Sequence, residues 1–263
     1  MHKIAFEIAG HPIHWYGILA VIGFILGFWT AGRRGMRDGI SPDTIADVGT
    51  WIIIGTIIGA RANYVITFWH EEFAGRGLLE MLRFYRGGLV FYGGFIGASL
   101  SVILYAWKYK QPLWKLADTL APSIALGHAF GRLGCLMTGC CYGRACDLPW
   151  AIQFPEGHET YPAHVHPTQI YESLLNFCLY AGLAWFYRRK RFDGQIFAAY
   201  LMCYAGLRSF VETFRGDYPT RYLWGAVTQA QMVGMVTFTT GAVLWWWFSS
   251  RPRPAKVPAS TAT

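Results

Sequence analysis

The sequence predicts an all-α polytopic membrane protein of about seven transmembrane helices, with a small extracytoplasmic (periplasmic) head. Three observations carry this. The 263 residues are 54% hydrophobic and only 14% charged, whereas a soluble domain is about 25% charged. Several apolar runs reach the roughly 20 residues that cross a hydrocarbon core. Basic residues crowd the short breaks between those runs, as they do in cytoplasmic loops. That crowding accounts for the net charge of +8, so no nucleic-acid partner is expected.

Residues 1–13 are short and mildly polar, without the basic start and small-residue cleavage site of a signal peptide. The first span covers 15–30 and ends before Arg33, Arg34 and Arg37. The second covers 45–69, and a polar, aromatic excursion follows at 70–87. The third covers 88–107, before Lys108 and Lys110, and the fourth 116–137. A second excursion, 138–167, holds most of the remaining histidines and cysteines. The fifth span is 169–187, ahead of the basic run 188–191; the sixth is 195–214 and the seventh 228–248. A basic tail, 249–263, closes what reads as a single integral membrane domain, 1–263.

An odd number of spans allows an orientation test. With the N-terminus outside, 13 of the 23 basic residues fall on one side, all in short loops or the tail. They are Arg33, Arg34, Arg37, Lys108, Lys110, Lys115, Arg188, Arg189, Lys190, Arg191, Arg251, Arg253 and Lys256. That side is the cytoplasm, and the chain is N-out, C-in. The other ten are Lys3, Arg61, Arg76, Arg83, Arg86, Arg132, Arg144, Arg208, Arg215 and Arg221, nine of them arginine. The guanidinium fork suits phosphate better than an ammonium does. Arg76, Arg83 and Arg86 read first as anchors for anionic headgroups or as partners of carboxylates.

Arg132 and Arg208 differ because they fall inside apolar runs. A charge at that depth costs roughly 3 kcal/mol on insertion scales, so it usually faces a polar cavity and meets an anion. Arg132 sits in the stretch 128–143, H-A-F-G-R-L-G-C-L-M-T-G-C-C-Y-G, whose glycines let a ligand or backbone come close. His128 precedes it by one helical turn. Arg208, Glu212 and Arg215 share a helix face at i, i+4 and i+7. They form either an anion clamp with its own carboxylate or a structural ion pair at a helix end.

Cys135, Cys140, Cys141 and Cys146 fall within 12 residues. Their spacing is not the C-x2-C pairing of common zinc sites. An oxidising outer compartment favours one disulfide, from Cys146 to Cys140 or Cys141, and no metal or other cofactor is expected. Cys178 and Cys203 read as small apolar residues within spans. The pairs Gly55/Gly59 and Gly93/Gly97 have the four-residue spacing of close helix packing.

Six motifs in order give the chain a resemblance to a known family. They are His14-Trp15-Tyr16-Gly17; Gly59-Ala60-Arg61; the run 87–97, G-G-L-V-F-Y-G-G-F-I-G; the run 131–143; His166-Pro167-Thr168-Gln169-Ile170-Tyr171-Glu172; and 208–215. With these the chain resembles the bacterial prolipoprotein diacylglyceryl transferases, enzymes of the plasma (inner) membrane. The resemblance implies transfer of the diacylglyceryl group of phosphatidylglycerol to the lipobox cysteine of a preprolipoprotein signal peptide. A thioether forms and glycerol 1-phosphate leaves, on the extracytoplasmic side and in contact with membrane lipid.

The resemblance also implies the site. Arg132 and Arg208 would stabilise charge developing on the departing phosphate, Glu212 would orient Arg208, and Tyr16 matches a functional tyrosine. Tyr92 and His166 complete the catalytic candidates. Gly131, Gly134, Cys135, Gly143, Gly93, Gly94, Arg61 and Arg215 are the further substrate-binding candidates, with Arg132 shared. The chain departs from the family pattern at four positions. Cys135, Thr138 and Cys140 stand where Asn, Asn and Glu are usual, and Tyr92 stands where a proposed base is histidine. An unperturbed tyrosine, with a pKa near 10, is a poor base. Two other classes remain open at this point, a transporter or channel and a lipid-binding paralogue without transferase activity.

Overall fold

The computed structural model describes residues 3–8, 10–74, 78–81, 87–217, 222–223 and 227–251. Arg76, Arg83, Arg86, Arg221, Arg253 and Lys256 lie outside the described residues, as does the tail from 252. The chain divides into two compact units, Met1–Gly27 with Leu120–Thr263, and Phe28–Thr119.

The first unit opens on an antiparallel hairpin, β1 (Ile4–Ile8) and β2 (His11–His14), with Ile8 opposite His11 and Gly10 in the left-handed region between them. Helix α1 (Trp15–Gly35) follows without a break. Its Gly23 lies against Phe130 and the Gly127 backbone, and the Ser123 hydroxyl donates to the Gly27 carbonyl at 2.6 Å. Those partners belong to α5 (Leu113–Thr138). Helices α6 (Thr168–Tyr187), α7 (Gln195–Glu212) and α8 (Gln229–Ser249) complete the unit. Its core joins Ala121 and Ala125 of α5 to Leu183 and Tyr187 of α6 and Ile196, Ala199 and Tyr200 of α7. Helix α8 begins with a capping box. Thr228 Oγ1 accepts from Gln231 N, while the Gln231 side chain accepts from Thr228 N, satisfying two end donors reciprocally.

The all-α expectation is corrected at three places. Besides the first hairpin, β3 (Ile152–Gln153) pairs with β4 (His164–Val165), and β5 (Tyr222–Leu223) with β6 (Val227–Thr228). These segments are too short for helices, yet their backbone N–H and C=O groups still need partners. Two-residue ribbons supply them. Tyr142, Phe154 and Val165 form a small core under the second ribbon.

The second unit is built on α2 (Pro42–Thr67) and α4 (Phe91–Lys108). Ser41 caps α2, accepting from Thr44 N at 3.1 Å, with Pro42 at the first helical position, where its missing N–H costs nothing. The segment between the helices contains a π-helical turn, Trp69–Phe73, and the one-turn helix α3 (Leu78–Met81). Gly55 and Gly59 of α2 meet Gly93 and Gly97 of α4 so closely that a Cβ on any of them would overlap the facing backbone or side chain. The four-residue glycine spacing is therefore a packing seam. We expect Gly59→Leu or Gly97→Leu to force these helices apart at a cost of about 1–3 kcal/mol or more. Thermal unfolding in detergent would read this as a lower midpoint, and an unchanged midpoint would contradict the seam.

Seven helices of 18 to 26 residues occur among the described residues. Two stretches, Trp15–Asp38 and Pro42–Thr67, are long and apolar enough to cross a membrane by length and composition. Large apolar side chains are widely exposed, among them Phe91 at 79% and Trp107 at 80%. Such a surface suits lipid rather than water.

Candidate active site

A polar centre lies within the first unit where α5, α6 and α7 meet. Its anchor is Glu172 in the first turns of α6, 1% exposed. The helical period delivers the other groups. His128 and Arg132 stand one turn apart on α5, and Tyr204, Arg208 and Glu212 stand at four-residue steps on α7. Glu172 Oε2 is 3.1 Å from Arg132 Nε, and Oε1 is 3.1 Å from His128 Nε2. Arg132 Nε is also 3.1 Å from His128 Nε2. One imidazole nitrogen cannot accept that proton while giving its own to Glu172. The carboxylate only accepts, so it takes both protons, and His128 carries hydrogen on Nε2.

On α7, Arg208 Nη1 donates to Glu212 Oε2 at 2.6 Å, and Glu212 is also 1% exposed. Arg208 and Tyr204 both lie within electrostatic reach of Glu172. The Tyr204 ring is 5.3 Å from that of His128. Both arginines are thus organised by sealed carboxylates, while their own side chains stay 15% and 18% exposed. A buried carboxylate deprived of its cation would be costly, so each pair fixes its guanidinium. The remaining open side of each fork can meet an anion.

The start of α6 is tied to the turn after α5. Thr168 Oγ1 donates to the Cys141 carbonyl and Gln169 Nε2 to the Cys140 carbonyl, both at 2.7 Å. Ser173 Oγ donates to the Ala129 carbonyl at 3.0 Å. Tyr16, the second residue of α1, rests on Gly134, where a Cβ would lie 2.7 Å from its ring. It is within electrostatic reach of Cys135, Cys140 and Arg132. Gly131 has open space where a side chain would stand.

The loops after α5 and α7 take up other candidates. Gly143 N donates to the His166 carbonyl at 3.0 Å, and a Cβ on Gly143 would collide with His166 and the Phe214 carbonyl. His166 Nδ1 lies 3.3 Å from the Tyr171 hydroxyl. That hydroxyl accepts from Trp150 Nε1 at 2.7 Å, leaving its own hydrogen for His166. Arg215 forks onto both oxygens of Asp217, at 2.8 and 2.7 Å. Helix α7 ends at Glu212, and i→i+3 turn bonds carry the backbone on to Arg215, which stays within electrostatic reach of Arg208. Beyond that point the backbone pairs sideways. Gly216 N donates to the Tyr142 carbonyl, and Arg144 N donates to the Phe214 carbonyl. Burial and a hydrogen bond to Glu159 push the Tyr142 phenol up to about 12.

All six cysteines are free, which corrects the expected disulfide from Cys146 to Cys140 or Cys141. Cys146 is held beside β4 by its N–H to the His164 carbonyl. Cys140 and Cys141 turn instead toward Cys135, and the three sulfurs lie within 4.8 Å of one another.

Tyr92, Gly93, Gly94 and Arg61 belong to the second unit. Tyr92 is 68% exposed at the start of α4, its ring 5.9 Å from Phe91. Gly93 packs on Gly59 and Asn63, and Gly94 on Thr56. Arg61 donates to the carbonyls of Glu80, Met81, Gly87 and Gly88 at 2.8 to 3.2 Å. Its guanidinium fastens Glu80, Met81, Gly87 and Gly88, and that use of the donors leaves little for a phosphate.

Two members of the centre escaped the sequence reading. Glu172 was visible only as the last residue of the H-P-T-Q-I-Y-E run, and Tyr204 as a tyrosine one turn before Arg208. Nothing in one dimension says that the first faces Arg132.

The profile of the prolipoprotein diacylglyceryl transferase family matches residues 3–247. The chain is similar to the phosphatidylglycerol–prolipoprotein diacylglyceryl transferase of Finegoldia magna, 38% identical over 93% of this chain and 94% of that one. The enzymes of the same name from Synechococcus elongatus and Bordetella parapertussis are each 34% identical. They cover 90% and 95% of this chain, and 84% and 95% of their own. With residues 3–247 matched and Arg132 and Arg208 held on buried carboxylates, the chain belongs to the prolipoprotein diacylglyceryl transferase family.

Proposed function

We propose that the chain carries out the reaction its relatives are named for, using the centre around Glu172. The diacylglyceryl group of phosphatidylglycerol passes to the lipobox cysteine thiol of a preprolipoprotein. Sulfur attacks the terminal glyceryl carbon, the carbon–oxygen bond to phosphate breaks, and glycerol 1-phosphate leaves with the electron pair. The observation that carries this is the convergence of Arg132 and Arg208 near one buried carboxylate. Two partly open guanidinium groups in an apolar setting suit a lipid phosphate. Their forks gain most as the phosphate changes from one negative charge to two, which is stabilisation of the transition state. Tyr16 stands beside the same ground, and His166, Gly143 and Arg215 hold the surrounding segments of the first unit.

The reaction places the centre at the extracytoplasmic side of a bacterial inner membrane. Seven spans, N-out and C-in, agree with the basic breaks at 108–115 and 188–191. Reporter fusions at those breaks should be active only when cytoplasmic, and the opposite result would reverse the topology. The function itself is tested by incubating purified protein with phosphatidylglycerol vesicles and a lipobox peptide. A thioether-linked product and released glycerol phosphate are expected; neither appearing would overturn the reading. Glu212→Gln keeps one acceptor for Arg208 but loses its charge. We expect about 1.4 kcal/mol of weakening, roughly tenfold in turnover. A loss beyond a hundredfold would instead make Glu212 the group that takes the thiol proton.

A further inference from the structure

The reaction needs a thiolate, and the position of the family's proposed histidine base is occupied by Tyr92. The chain also replaces the usual Asn and Glu of the central motif with Cys135 and Cys140. The sulfurs of Cys135, Cys140 and Cys141 lie within 4.8 Å of one another. We propose that these three cysteines bind a zinc-class divalent ion whose fourth position receives the lipobox thiol and holds it as the attacking thiolate. This deepens the transferase reading and rests on it.

The geometry fits. Zinc–sulfur bonds of about 2.3 Å place the sulfurs of a tetrahedral site about 3.8 Å apart. Contraction by at most about 1 Å brings the three into range. Sites with three protein ligands and one open position are those that do chemistry, whereas closed four-ligand sites are structural. The backbone is built to hold the tripod. Gly139, at φ +81, ends α5 with its N–H on the Cys135 carbonyl, and Cys140 N donates to that same carbonyl. Cys141 adopts φ +62, a conformation that costs a residue with a side chain about 1–3 kcal/mol and that tends to persist where function requires it. Gln169 and Thr168 pin the carbonyls of Cys140 and Cys141, and His158 Nε2 donates to that of Gly139 at 2.7 Å. The Thr138 hydroxyl gives its hydrogen to the Gly134 or Cys135 carbonyl and lies 3.3 Å from Cys140 Sγ, a contact that fixes where this sulfur stands. Cys140 is exposed while Cys135 and Cys141 are half-buried, so one side stays open.

The position also fits the chemistry. Arg132 is within electrostatic reach of Cys135 and Cys141, and Tyr16 of all three. Three thiolates and a divalent ion carry one negative charge, and Arg132 offsets it. A coordinated thiol is deprotonated outright. Its proton leaves to solvent on binding, so no side chain has to act as base. Because the three cysteines neutralise the ion, the fourth sulfur keeps its electron density. It forms the carbon–sulfur bond, leaves the metal as a neutral thioether, and the phosphate departs with the carbon–oxygen pair. A diester of charge −1 and a thiolate of charge −1 give an uncharged thioether and a dianion, so charge balances.

The test uses the whole purified protein in detergent under a thiol reductant, stripped with a chelator and titrated with Co²⁺ or Zn²⁺. One Co²⁺ per chain should bind with sulfur-to-metal charge-transfer absorption, and lipobox peptide should add the signature of one more thiolate. Stripping should lower transfer at least a hundredfold, and one equivalent of Zn²⁺ should restore it. Cys135→Ser, Cys140→Ser and Cys141→Ser should lose the cobalt spectrum, while Cys146→Ser and Cys178→Ser keep it. Full activity of the stripped wild-type enzyme, which involves no variant that could misfold, would overturn the metal and leave the transferase standing. So would a disulfide within the trio in the active enzyme. Cobalt bound by all three cysteines, with no thioether from phosphatidylglycerol under zinc, would overturn the transferase reading instead.

Discussion

Arg132→Lys and Arg208→Lys are each expected to lower turnover by about a hundredfold, roughly 3 kcal/mol, the usual loss on removing one donor from a developing oxyanion. Lysine keeps the charge but loses the planar fork. In Arg132 one guanidinium nitrogen is committed to Glu172, and in Arg208 one is committed to Glu212. A guanidinium can meet its carboxylate and still present further N–H groups to phosphate; an ammonium satisfies the carboxylate with its only nitrogen. The loss should fall on the chemical step more than on lipid binding, because the extra charge appears only as the carbon–oxygen bond breaks. Single-turnover rates on one lipobox peptide, with phosphatidylglycerol saturating, would show this. Near-normal rates for both variants would remove the phosphate clamp and most of the mechanism with it.

Glu172→Gln should be the most damaging conservative change in the molecule. Glutamine has nearly the same volume but offers one oxygen and one NH2. Both neighbours, His128 Nε2–H and Arg132 Nε–H, are donors to the carboxylate. One of them must then face the amide hydrogens, unless His128 moves its proton to Nδ1. That shift rescues the hydrogen bond but not the charge, and Arg132 and Arg208 lose the anion between them. Breaking a buried ion pair by removing one partner costs about 3–5 kcal/mol. We expect a lower unfolding midpoint in detergent and turnover reduced by more than a hundredfold. His128→Asn, which removes only one arm, should retain most of the stability. If Glu172→Gln unfolds and turns over like the wild type, the centre is not organised by this carboxylate.

The periodic part of this arrangement could be read in one dimension. A helix repeats every 3.6 residues, so His128 with Arg132, and Arg208 with Glu212, follow from spacing alone. The glycine pairs at 55/59 and 93/97 announced a packing seam for the same reason. Arg215 lies one step past the end of α7, where i→i+3 turn bonds still hold the chain. The pairing of Gly216 with Tyr142 and of Phe214 with Arg144 joins segments far apart in the chain, and spacing does not show it. The second and third ribbons were missed because two-residue strands leave no period to detect. The disulfide was inferred from compartment and number, which say nothing about where a sulfur points.

The sequence by itself determined the class, the helical character and the residues available for chemistry, since apolar length, composition and helical period are local properties. Only the tertiary structure decided their partners. It set Glu172 of one helix between His128 and Arg132 of another, gave Arg61 to backbone carbonyls, and gathered Cys135, Cys140 and Cys141 into one thiol group. Those choices depend on packing between segments far apart in the chain, where a donor's partner is fixed by which buried acceptor lies within about 3 Å.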